Sequence, residues 1–150
     1  MFALTWWMDR RNISQVFFKD VYKLNGWVVM FGGSTMSGQV IKKESFLVLL
    51  NQLKDRGRLK SIDKSVVDKR ETEIRERTMA RIGAMPTECD DLHILALCAV
   101  TKCSNVITKD HRLSLCADLL RKEIGHNYCP SIRVISDEKT YLSLKKSNSL

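Results

Sequence analysis

The 150-residue chain lacks any apolar run approaching the roughly 20 residues that a bilayer crossing requires, so no membrane span is expected. Its five cysteines, Cys89, Cys98, Cys103, Cys116 and Cys129, include no C-x-x-C pair, and His93, His111 and His126 have no zinc-ligand spacing. The cysteines therefore read as reduced thiols of a cytoplasmic protein, without a zinc knuckle or a disulfide framework. Cys98 and Cys116 fall at apolar positions and read as core filler. The opening MFALTWWM lacks the basic n-region and small-residue cleavage site of a signal peptide, so a buried first strand is expected there. Internal repeats are absent too, and the expectation is one domain over residues 1–150.

Acidic residues are in deficit. Lys and Arg number 25 against 17 Asp and Glu, giving a net charge of +8. That balance favours a polyanionic partner such as nucleic acid. An apolar content of 44% is enough to fill one core of ordinary size.

The hydrophobic periodicity alternates as in an α/β protein. Residues 12–24 place Ile13, Val16, Phe17 and Val21 on one helical face, and Gly26 ends it. Residues 27–31 form a continuous apolar run, expected to be a buried parallel strand. Gly32 and Gly33 then permit either a tight strand-to-helix turn, the favoured reading, or a backbone approach to an anion. Residues 37–56 predict one helix with Val40, Ile41, Leu47, Leu50 and Leu53 toward the core and Gly57 as its stop. Residues 58–62 make a short strand. Residues 63–82 predict a solvated, charged helix with a sparse Val67, Ile74, Ala80 stripe and i,i+4 pairs such as Glu73 with Arg77. Beyond Pro86, residues 113–124, 131–135 and 137–146 predict a helix, a strand and a terminal helix carrying Tyr141, Leu142 and Leu144, with residues 145–150 frayed.

The most informative stretch is ECDDLHILALCAVTKCSNVITKDHRL, from Glu88 to Leu113. Asp90 and Asp91 stand at a helix start, residues 94–100 are apolar, and residues 105–108 form a strand that delivers Asp110 into the next loop. An acid at a helix N-terminus and another at a strand's carboxyl end can converge on the rim of a parallel sheet, where open α/β sheets bind ligands. Like charges held close raise each other's pKa unless a cation lies between them. For oxygen donors that cation is Mg²⁺ or Mn²⁺. The plainer alternative makes Asp90 and Asp91 helix caps and Asp110 a turn residue. His93 is expected to hydrogen-bond near the helix start, and His111 adjoins Asp110.

Asp91-Leu-His-Ile-Leu-Ala-Leu-Cys98, followed by Val106-Ile-Thr-Lys-Asp110, resembles the C-terminal signature of PIN domains, a nuclease family. The doubled acid and His93 are similar to an uncharacterised bacterial PIN-like branch with an earlier Gly-Gly-Thr segment, which Gly32-Gly33-Ser34 echoes. The resemblance extends from about Asn12 to Tyr141 and Leu142. It implies a three-layer α/β/α sandwich around a mainly parallel sheet, and metal-dependent cleavage of single-stranded RNA, with single-stranded DNA as a second substrate. Asp91 and Asp110 would hold the ion, Thr108 would hydrogen-bond beside it, and Asn12 would orient whatever fills the first-acid position.

The family pattern asks for four acids, and the chain departs from it twice. Arg10 stands where the first Asp belongs, with Asp9 one residue away. Gln39 aligns with the second acid, and Glu44 lies about 140° farther round a helix. Weak metal binding is therefore expected. Arg10, Arg11 and Lys109 are the candidate nucleic-acid contacts. The alternatives are a PIN-like module without chemistry that binds nucleic acid or protein, and the toxin of a toxin–antitoxin pair whose partner is an antitoxin. A homodimer is compatible with each.

Overall fold

The computed structural model describes residues 2–4, 28–41 and 44–147. Five strands, β1 (Phe2–Leu4), β2 (Val29–Gly32), β3 (Leu59–Ile62), β4 (Asn105–Ile107) and β5 (Arg133–Ile135), form one sheet in the order β3-β2-β1-β4-β5. Every pairing is parallel. Six helices are described: α1 (Ser34–Ile41), α2 (Glu44–Asp55), α3 (Lys64–Ile82), α4 (Leu92–Thr101), α5 (Arg112–Ile124) and α6 (Glu138–Ser147). The helix expected over residues 12–24 lies outside the described residues, as do Trp27 and the first strand beyond Leu4.

The β2-to-α1 turn is tight because it has no side chains to accommodate. A Cβ on Gly32 would stand 2.9 Å from the Ile62 carbonyl oxygen, and Gly33, at φ +91°, would place one 3.0 Å from Val67. The helix starts three residues earlier than the periodicity predicts because α3 caps it from outside. Asp68 accepts the Ser34 backbone N–H at 2.8 Å and the Ser34 hydroxyl as well. A carboxylate of the chain itself thus stands where the anion reading of Gly-Gly would place a ligand. The predicted single helix over residues 37–56 is two helices, α1 and α2. Leu47 is exposed while Leu50 and Leu53 are buried, a correction that helix geometry explains. Residue 47 lies roughly 120° around the helix from residue 53.

In α3 the buried face is Val67, Ile74 and Thr78, not Ala80. Four residues after Ile74 return the chain to about the same face, whereas six carry it to the far side. Thr78 is tolerated there because its hydroxyl donates to the Ile74 carbonyl at 2.7 Å. The predicted Glu73–Arg77 pair does not form. Arg77 stacks over the Tyr128 ring at 3.9 Å, and Glu73 pairs instead with Arg70. Asp63 caps the helix by accepting the Ser65 N–H at 2.7 Å, and Gly83 ends it in the left-handed conformation.

The centre of the core is α4. Leu92 through Cys98 are all buried, so this helix is apolar all round and packs against α3, β1 and β2. Adjacent residues are buried in β2 (Val29, Met30) and in β4 (Val106, Ile107). At the carboxyl end of the chain, Tyr141 is fully buried and Leu144 nearly so, which holds α6 in place through Ser147. Lys145 and Lys146 are therefore helical and not part of a frayed tail.

The cysteines require a correction. Cys89 and Cys116 form a disulfide, with Cα atoms 5.1 Å apart, while Cys98, Cys103 and Cys129 are buried thiols outside any disulfide. A bridge across 27 residues joins the segment before α4 to the first half of α5, a proximity that no local spacing announces. Cys98 is the core filler expected of it. Burial pushes its thiol well up, and pushes that of Cys129 to about 11.

Candidate acidic rim at the sheet switch point

The order β3-β2-β1-β4-β5 reverses direction at β1, so the crevice beside the carboxyl ends of β1 and β4 is the switch point of the sheet. Leu4 and Ile107 are register partners there. Thr108 follows Ile107 and extends the ladder by donating its N–H to the Ile135 carbonyl at 3.2 Å. Its buried hydroxyl accepts the Asp110 N–H at 3.1 Å, which fixes the turn that presents Asp110. Lys109, between them, is exposed.

Asp110 is held by Arg112. Its Oδ1 accepts the Arg112 backbone N–H at 2.9 Å and Nε at 3.1 Å, and its Oδ2 accepts Nη2 at 2.8 Å. The guanidinium then reaches the Asp90 Oδ2 with Nη1 at 2.7 Å. The hydrogen bonds from Arg112 hold the Asp110 carboxyl below its ordinary range. The plainer reading holds for Asp110 in one respect, since its carboxylate accepts the N–H two residues ahead, as a turn residue does, while also belonging to the rim.

Asp91 behaves differently. It occupies the N-cap position of α4, and its carbonyl accepts the Ile94 N–H at 3.0 Å, yet its side chain makes no capping hydrogen bond. Burial pushes its carboxyl pKa up; His93 and Arg112 oppose the rise, and the charges of Asp110 and Asp90 add to it. The charge of Asp110 is thus felt at Asp91, though less than burial and His93 are. His93 is buried, and its Nε2 has no hydrogen-bond partner among the described residues, contrary to the expected bond near the helix start. Burial depresses its pKa against the pull of Asp91 and Glu71.

Asp9, Arg10, Arg11 and Asn12 lie outside the described residues, as does the side chain of Gln39; Glu44 is exposed at the start of α2. Among the described residues no group of three or more His, Cys, Asp or Glu side chains is arranged to hold a metal. Sequence reasoning missed Arg112 and gave Asp90 only a capping role, whereas its carboxylate accepts from Arg112. The signal for Arg112 was its place two residues after Asp110, a spacing at which a carboxylate bonds the backbone ahead of it. The disulfide belongs to the same rim, because Cys89 precedes Asp90 and Cys116 follows Arg112 by one helical turn. No known family model matches the chain, and neither does any curated protein or solved structure.

The raised pKa of Asp91 has a definite sign in stability. The folded protein holds that proton more tightly than the unfolded chain does, so the contribution is lost as pH rises from about 4, the unfolded value, through the folded one. Asp91→Asn should therefore be more stable than wild type in urea unfolding at pH 7, with the difference gone below about pH 4. Equal differences at both pH values would show that the Asp91 carboxylate is solvated like a surface one.

Proposed function

We propose that this chain is a PIN-like, metal-dependent phosphodiesterase that cleaves single-stranded RNA, with single-stranded DNA as a second substrate. The observation that carries the reading is Asp91, a half-buried carboxyl without a side-chain cap bond, whose proton affinity is raised in part by Asp110. A small cation between the two acids relieves that repulsion.

The proposal includes a three-layer α/β/α architecture. Successive strand residues point to opposite faces, and adjacent residues are buried in both β2 and β4, which supports cover on both faces. Right-handed crossovers from a switch point at β1 would distribute helices in the same way.

Carboxylate oxygens, the donors that Asp91 and Asp110 would offer, suit Mg²⁺ or Mn²⁺. Asp91 and Asp110 would hold the ion, with the Thr108 hydroxyl behind Asp110. When bound, such an ion lowers the pKa of a water and offsets charge on a phosphoryl group. The residues themselves set the geometry: Thr108 fixes the turn, Asp110 is oriented by Arg112, and exposed Lys109 draws the phosphate backbone. Affinity for the ion should be weak, because two carboxylates supply less charge than four and Arg112 already neutralises one of them.

That last contact favours a second reading, a module that binds nucleic acid without cutting it. A guanidinium fork on Asp110 and Asp90 satisfies two of the three rim acids with no metal. Asp91→Asn separates the two readings. For the enzyme, the variant should keep or increase its RNA affinity, since Lys and Arg supply the phosphate contacts, and should lose cleavage altogether. Affinity is measured by fluorescence anisotropy against salt, and cleavage on a labelled RNA with Mn²⁺. Salt-dependent binding by wild type without any cleavage would establish the module instead.

A further inference from the structure

A cavity of about 610 Å³ opens between the amino ends of β4 and β5 and the last turn of α6, at the end of the sheet opposite the acidic rim. Sites for small molecules span roughly 300–1,000 Å³. Asn105 and Arg133 are register partners there and share one face of the sheet, and the Arg133 N–H donates to the Ser104 carbonyl at 2.6 Å. Ser131 adds a third hydrogen-bonding side chain, while Ile132 and Leu144 supply apolar wall. Ser147 lines the cavity too, but its hydroxyl donates to the Leu144 carbonyl at 2.8 Å. The groups turned to a ligand are therefore the Ser104 and Ser131 hydroxyls, the Asn105 amide and the Arg133 guanidinium. Side chains of these types hold phosphate oxygens wherever proteins bind nucleotide chains.

Charge sets the sign of the ligand. The lining segments, residues 102–105, 131–133 and 144–147, contain Lys102, Arg133, Lys145 and Lys146 and no Asp or Glu. Asp137 and Glu138 follow β5 and so stand beyond its other end. Arg70, Arg75, Arg81, Arg112 and Arg121 each have a carboxylate partner, whereas Arg133 has none among the described residues. A cleft lined by one sign of charge with apolar walls concentrates that field.

We propose that this cavity binds a phosphate group, as the free ion or as a small phosphomonoester, with the Arg133 fork on two of its oxygens and the serine hydroxyls on the others. The doubly charged monoester gains more from the field than the singly charged diester of a chain. The site needs no metal and does not rest on the phosphodiesterase reading.

AMP, adenosine and inorganic phosphate are titrated into the full chain, with affinity read by calorimetry and location by backbone amide NMR shifts. AMP should shift the amides of Ser104, Asn105, Ser131 and Arg133 and bind at least about tenfold more tightly than adenosine. Phosphate binding as tightly as AMP assigns the cavity to the free ion, and tighter binding of AMP assigns it to the ester; both support the proposal. R133Q, at an exposed position on the edge strand β5, should lose about tenfold or more in affinity. S131D, which places a carboxylate in the cavity and leaves the guanidinium, should do the same and decides the matter should R133Q fail to fold. K60Q removes the same charge from β3, the opposite edge of the sheet, and should leave affinity unchanged. Failure of wild type to bind AMP or phosphate overturns the proposal, as does equal affinity for AMP and adenosine. Affinity unchanged in R133Q and S131D, or lowered as much by K60Q, overturns it too.

Discussion

Replacing Cys89 and Cys116 together by alanine should lower the stability of the fold by about 3–4 kcal/mol, the loop-closure entropy expected for a bridge spanning 27 residues. For a chain of this length that corresponds to a fall in Tm of about 10 °C. The bridge ties Cys89, one residue before Asp90, to Cys116, one turn after Arg112, so its loss should also loosen the Asp90–Arg112 pair. Thermal unfolding of wild type with and without a dithiol reductant gives the same comparison without mutation. The other three thiols, already reduced and buried, should contribute nothing to it. A Tm indifferent to reductant and to the double substitution would mean that the two segments are held as firmly by packing alone.

Leu95→Ala should be comparably damaging. Leu95 is fully buried in the middle of α4, a helix enclosed by α3 on one side and by β1 and β2 on another. Neighbours anchored in a sheet and a long helix cannot close over the void, so both the lost transfer energy and the cavity contribute, about 3 kcal/mol or more together. Urea unfolding measures the loss. A change below about 1 kcal/mol would show that the site collapses and that the core around α4 is less tightly packed than its burial indicates.

The sequence was most legible where one kind of physical signal was strong. The apolar run from Ile94 to Val100 announced the helix behind Asp90 and Asp91, and residues 105–108 announced the strand that carries Asp110, which the structure gives as Asn105–Ile107. A helix start and a strand end in a parallel sheet share a rim, which is why the sequence could raise the convergence of Asp91 and Asp110 as an expectation. What was not legible depends on side chains choosing partners at a distance. Arg77 satisfies its charge on Tyr128 and not on Glu73, Asp68 caps a helix 34 residues before it, and Cys89 finds Cys116. Each of those partners lies on a separate element, and periodicity carries no information about which elements meet. Leu47 and Ala80 were placed inward because the apolar count suggested a wider stripe than the packing requires. Arg112 is the instructive case. The expectation that a cation must offset the rim acids was physically sound, and the guanidinium two residues from Asp110 already meets part of that need.

The position of β1 has a consequence for how the chain assembles. Phe2–Leu4 is the middle strand, bonded to β2 on one side and to β4 on the other, so three residues near the amino end join a β2–β3 pair to a β4–β5 pair. β1 is made before both of its neighbours and is fully paired only once β4 has followed α4 out of the ribosome. Until then the sheet has an open parallel edge, the kind of contact that forms slowly and invites pairing with another chain.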